Sequence, residues 1–155
     1  MGNPQIDRAI GNALSVIESA ARALTLELAA NLTEASPVDT GHNRRNFVPS
    51  VGEPFAGEDD GTAQAAGIAA VLAWHIGDGD LYVTNNVPYL QYLLLGSSPQ
   101  AAPGWDLIAM DAAVEAIRQA YGVTIDATSP LRVTDFGALA AQGIAAAYSP
   151  LGGDG

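Results

Sequence analysis

Two histidines, a few acidic turns and a pair of adjacent arginines are the residues of this chain equipped for chemistry. His42 and His75 stand in separate segments with no His-x-x-x-His or His-Glu spacing around either. Asp78 or Asp80 could complete a metal site with His75, but that spacing matches no established ligand pattern. Asp78-Gly79-Asp80 has the opening of a calcium loop and lacks the third ligand position and the downstream Glu of an EF-hand, so a connecting turn is expected. Gly96-Ser97-Ser98-Pro99 is a turn without the Gly-x-Ser-x-Gly spacing of a nucleophile elbow. Asp59 and Asp60 fall in an acidic loop, where solvent would keep two neighbouring carboxylates alike rather than splitting them into acid and base. The chain has no Cys, which removes disulfides, thiolate ligands and thiol catalysis, and no glycine-rich nucleotide fingerprint. The expectation is therefore no enzyme, with no catalytic, metal-binding or cofactor-binding residue.

Arg44 and Arg45 are expected to pair with carboxylates of the same chain. The alternative is a reach to an acidic face of a neighbouring subunit, for which the guanidinium fork is suited. Trp74, Trp105, Tyr89 and Tyr92 are read first as core residues and second as interface anchors. Composition narrows the class further. Hydrophobic residues make up 48% and charged residues 15%, against about a quarter charged in an ordinary domain. A surface so poor in charge is often covered by a partner. The remaining charge is lopsided, with 17 acidic residues against six Arg and a formal net charge of -11. No basic patch is present to displace phosphate counterions, so specific DNA binding is not expected. No secretory leader and no apolar run of membrane-spanning length is evident; the longest, Ala65 to Ile76, stops short.

The elements that must position these residues follow from pattern. Ile6, Ile10, Leu14, Ile17, Ala21, Leu24, Leu28 and Leu32 recur at helical steps and predict one long helix over 5–33, ended by Pro37. A turn into a strand over 46–52 follows, then an acidic loop over 53–62 expected to be mobile, and a short Ala-rich helix over 62–74. Gly77 to Asp80 predicts a turn, and Leu81 to Thr84 a strand that Pro88 prevents from continuing. One or two helical turns are expected over 89–95. A second helix is predicted over 105–120, with Leu107, Met110, Val114 and Ile117 on one face. Val123 to Asp126 reads as a strand, Thr134 or Asp135 as the cap of an Ala-rich helix to Tyr148, and 150–155 as a frayed tail. Helices mixed with a few strands argue α+β.

Three phrases lie along this framework. The first is Pro37-Val38-Asp39-Thr40-Gly41 with Arg44, Arg45 and Phe47 behind it. Pro37 fixes its φ, Asp39 can accept from backbone N–H groups ahead, and Gly41 can take a positive φ. The second is Thr84-Asn85-Asn86-Val87-Pro88-Tyr89 running to Gly96. The third is Ser98-Pro99-Gln100-Ala101-Ala102-Pro103-Gly104, with Trp105 opening a helix. Their order and spacing behind an N-terminal helix resemble the neck or tail-completion (head–tail joining) proteins of tailed bacteriophages, the group that includes minor tail protein Z of lambdoid phages. The likeness covers about residues 5–120. It departs where the family commonly has Leu-Glu-x-Gly and this chain has Leu93-Leu94-Leu95-Gly96, and where one extra Ala precedes Pro103.

The resemblance implies an α+β domain over 1–122, with a long N-terminal helix packed on a small, mainly antiparallel sheet and further helices after residue 104. Residues 123–155 are expected to form an extension packed on the same domain. It also implies a structural role in the virion, assembled in the host bacterial cytoplasm. Copies would form a homo-oligomeric ring at the head–tail junction, against the connector or stopper on one side and the tail terminator or tail tube on the other. DNA would pass through its lumen without specific binding, and no membrane is involved. The turn and interface candidates are Pro37, Asp39, Thr40, Gly41, Arg44, Arg45, Phe47, Asn85, Asn86, Pro88, Tyr89, Gly96, Gln100, Pro103, Gly104 and Trp105. Competing expectations are another virion protein (tail terminator, decoration or minor capsid protein) and a small intracellular enzyme or ligand-binding domain.

Overall fold

Helix α1, Pro4–Ala35, is the element on which the others are laid. A computed structural model describes residues 2–38, 41–95, 102–125, 139–141 and 149–150, with only the backbone described for Gln91, Tyr92 and the last two stretches. Asn3 starts α1, its side-chain oxygen accepting from the N–H of Gln5 at 2.9 Å, while Pro4 at the first position needs no such partner. At the far end Ser36 is extended and its N–H closes on the Leu32 carbonyl. At 32 residues the helix is about 48 Å long.

Beyond α1 come α2 (His42–Arg45), β1 (Val48–Val51), α3 (Thr62–Leu72), β2 (Leu81–Thr84), α4 (Leu90–Leu94), α5 (Trp105–Tyr121), β3 (Leu139–Ala141) and β4 (Ser149–Pro150). The strands form one antiparallel sheet in the order β1-β2-β3-β4, with Val48 opposite Thr84 and Val51 opposite Leu81. Helix α1 packs on this sheet and along α5, and α3 packs on β1. The architecture is thus α+β, as its pattern predicts.

The core gathers where the C-terminal half of α1 meets α5 and the sheet. Leu24, Leu28, Phe47, Leu81, Met110 and Val114 are buried there. Ala20, Ala21 and Ala113 have no exposed surface at all; such small residues let the two helix backbones come close. Gly67 does the same for α3: a Cβ at this position would fall far inside the van der Waals envelope of the Pro49 carbonyl oxygen and 2.9 Å from its carbon. Only a residue without a side chain lets α3 lie this close to β1.

Several expectations are corrected. Leu107 is 43% exposed, because α5 turns its alanine face (Ala109, Ala113) as well as Met110, Val114 and Ile117 inward. Residues 123–125 form no strand; Ile125 is buried and its carbonyl accepts from the Arg118 guanidinium. The Ala-rich helix predicted to Tyr148 does not run through Leu139–Ala141, which are strand β3 beside β2. A free edge on β2 outweighs the poor strand propensity of alanine. Ser149–Pro150 is strand β4, so the frayed tail does not begin at Pro150.

Candidate functional site

Among the described residues, the stretch around Asn43 and Phe47, Asn85 of the second phrase and Trp105 behind the third come together. Asn85, just after β2, sends its Nδ2 to the backbone carbonyl of Asn43 at 3.2 Å and to Asn43 Oδ1 at 3.0 Å. Its own Oδ1 accepts from the N–H of Val87 at 3.0 Å, which fixes the chain before Pro88. Asn43 in turn donates to the hydroxyl of Ser36 at the end of α1. Asn43, Asn85 and Ser36 are all buried, and a buried amide chain of this kind holds only while every member is satisfied. The first and second phrases are therefore joined through amides, with Pro37 buried beside them.

The third phrase joins through aromatic rings. Phe47 meets Trp105 edge to face, with centroids 6.3 Å apart and planes at 90°, an arrangement favoured by the ring quadrupoles. Trp105 Nε1 donates to the Leu93 carbonyl at 3.0 Å, and the N–H of Gly104 to that of Leu94 at 3.3 Å, so α4 and the start of α5 are tied together. Gly41 and Gly104 stand at φ 79 and 80, each directly before a helix, as turn glycines do.

Of the two arginines, Arg44 departs from expectation. Arg44 holds carbonyls rather than a carboxylate: Nε donates to Ser36 O and Nη2 to Glu34 O, each at 3.0 Å. Those are carbonyls at the C-terminal end of α1, where a cation also complements the helix dipole. Arg45 is exposed and lies near Asp60. Asn46 pins the acidic loop instead of leaving it free, donating to Asp59 O at 3.0 Å and accepting from Asp59 N at 2.7 Å. Asn86 holds the same loop through the carbonyls of Phe55 and Gly57. Gln64 reaches from α3 to the carbonyls of Arg44 and Phe47. Pro88, Tyr89 and Pro103 are exposed, and the core placement expected of Tyr89 is corrected. Asp39, Thr40, Gly96 and Gln100 lie outside the described residues.

Several of the acidic side chains make local hydrogen bonds. Asp59 Oδ2 accepts from the N–H groups of Gly61 and Ala63, and Asp60 Oδ1 from the hydroxyl of Thr62, so both carboxylates cap α3. That hydroxyl and the Thr62 N–H hold Asp60 below its ordinary range. Asp78 closes its turn on the N–H of His75. Asp106, buried in the first turn of α5, is pushed up by burial. Among the described residues no group of three or more His, Asp or Glu is placed to hold a metal ion.

Sequence reasoning missed Glu18. Its Oε1 takes the Arg22 guanidinium at 2.6 Å and His75 Nδ1 at 2.9 Å, and Oε2 takes the N–H of Ile76 at 2.9 Å, fastening α1 to the loop before β2. The spacing of Glu18 and Arg22, four apart on a helix, was the available signal. The Ile76 N–H foremost, then His75, lowers the Glu18 carboxyl from its ordinary 4.5. A lowered folded value contributes stability that is present above 4.5 and lost as pH falls through the folded value. Glu18→Gln should therefore melt below the parent at neutral pH, with the gap closing in acid; thermal melts from pH 7 to pH 3 check this.

Among the described residues, α1 and α3 expose apolar surface. Every residue from Gly2 to Val16 is exposed, so the first turns of α1 project from the body, with Ile6, Ile10 and Leu14 56%, 54% and 49% exposed. Helix α3 carries no charged residue and exposes Ile68 and Leu72. Between α3 and α1 runs a groove of about 560 Å³, lined by Leu26, Ala29, Ala30 and Ile68 and by the polar Thr33, Glu34, Arg44 and Gln64. No helix among the described residues is long and apolar enough to cross a membrane. Comparison with protein-family models, curated proteins and solved structures finds no match to this chain.

Proposed function

We propose that this chain is a structural subunit of a ring at the head–tail junction of a tailed bacteriophage, completing the neck or tail and joining it to the head connector. The observation that supports this reading is the joint that Asn85 and Trp105 make with the stretch 43–47. Residues far apart in sequence, resembling the neck-protein pattern, meet around Asn43, Asn85, Phe47 and Trp105. The exposed apolar stretches of α1 and α3 support an assembled state. A ring closed by rotation uses two different faces of each subunit, and exposed apolar residues on α1 and on α3 would supply them.

The partners in this reading are further copies of the chain, the connector or stopper, and the terminator or tube of the tail. The net charge of -11 suits a lumen from which DNA is repelled rather than bound. Removing the gene from the phage that encodes it should leave filled heads and finished tails unjoined. Wild-type protein should restore joining, whereas Gly41→Val, which forces a β-branched residue to φ 79, should not. Infectious particles in the deletion strain would overturn the reading.

A further inference from the structure

We infer that the projecting start of α1 is an arm that lies in the α1/α3 groove of a second copy of this chain. The inference rests on the ring reading for its place in the virion and adds the contact that would build the ring. Among the described residues, nothing covers the arm. Residues 2–16 are exposed on all sides, yet the stripe that is buried further along the same helix continues through them as Ile6, Ile10 and Leu14. A helical stripe maintained where no described residue covers it fits a partner surface.

Charge selects the partner. Two copies of a chain with formal charge -11 repel wherever acidic faces meet. The arm escapes this, because Asp7 and Arg8 are its charged residues and they cancel. The groove escapes it too: α3 is uncharged, and Glu34 and Arg44 both line it. An acid and a base on each side allow opposite charges to be matched, with Arg8 toward Glu34 and Asp7 toward Arg44. Size agrees as well. From Pro4 to Val16 the arm is about 20 Å long and α3 about 16 Å, and the groove of about 560 Å³ has room for large aliphatic side chains. Arm and groove are different surfaces, so each copy gives one and receives one, the head-to-tail arrangement that closes into rings.

The chain has no Cys, which makes the test direct. Ile10→Cys and Ile68→Cys proteins, mixed and oxidised, should form a disulfide between the two kinds of copy, while neither alone should do so efficiently. In parallel, Ile10→Asp/Leu14→Asp should weaken self-association by about 100-fold or more, with melting of the dilute, unassembled protein unchanged because both positions are exposed. Disulfides formed through Ile10→Cys alone would mean that arms pair with each other and would overturn the proposal. So would a parent chain that remains monomeric in light scattering at about 1 mM. A doubly substituted protein that assembles like the parent would overturn the arm while leaving the ring intact, separating the two failures. If that variant assembles normally but blocks joining of heads to tails, the arm serves another virion protein and the proposal is equally lost.

Discussion

Gly67→Ala should lower stability by about 3 kcal/mol, a fall in Tm of roughly 6–12 °C for a chain of this size. The cause is backbone against backbone. The new methyl group would drive into the Pro49 carbonyl, and no rotamer change can relieve it. Either α3 lifts from β1, opening the contact that Val71 and Trp74 help to bury, or the strand bends away from β2. Gly11→Ala is the matched control. Nothing lies within 4 Å of a Cβ there, so the ordinary gain of alanine over glycine in an exposed helix, about 0.5–1 kcal/mol, should appear instead. Thermal melts of the two variants check both signs, and equal effects would mean that α3 does not sit against β1 as described.

Asn85→Ala should cost about 2–4 kcal/mol, although it removes only a small polar group. The loss lies in what is left behind: Asn43 Oδ1 and the Val87 N–H are buried groups whose partner is gone. Asn43→Ala should cost a comparable amount, and the double substitution less than the sum of the two. Each change orphans groups that the other removes, so a coupling of about 1 kcal/mol or more is expected from the cycle. Additive losses in chemical denaturation would show that the two amides do not act as a pair. Within the proposed function, the same substitution should uncouple the first phrase from the second and reduce joining of heads to tails even where the protein folds.

Much of the fold was legible from pattern because each element satisfies a local rule. The apolar stripe and Pro37 define α1, Pro88 ends the path of β2, and Gly104 marks the start of α5. What failed depended on neighbours. Alanine does not register in a search for bulky apolar faces, so the turn of α5 toward Ala109 and Ala113 escaped and Leu107 was placed inward. Leu139–Ala141 reads as helix by composition and becomes a strand because β2 offers it hydrogen bonds. The stripe of α1 was visible, but not that its first turns are exposed.

For the candidate site, the phrases themselves were readable and their meeting was not. Asn43 and Ser36 are ordinary polar residues in sequence, and their burial beside Asn85 is a property of the closed structure. Arg44 carried a signal that pointed toward carboxylates, whereas the unpaired carbonyls at the end of α1 took it.

For the proposed function, the most direct test is quantitative mass spectrometry of purified phage particles whose genome carries this gene, scaled to their portal and tail-tube proteins. The account predicts a copy number of the order of one ring, comparable with the portal and independent of tail length. A number that scales with the tube or with capsid area, or absence of the chain from finished particles, would contradict it.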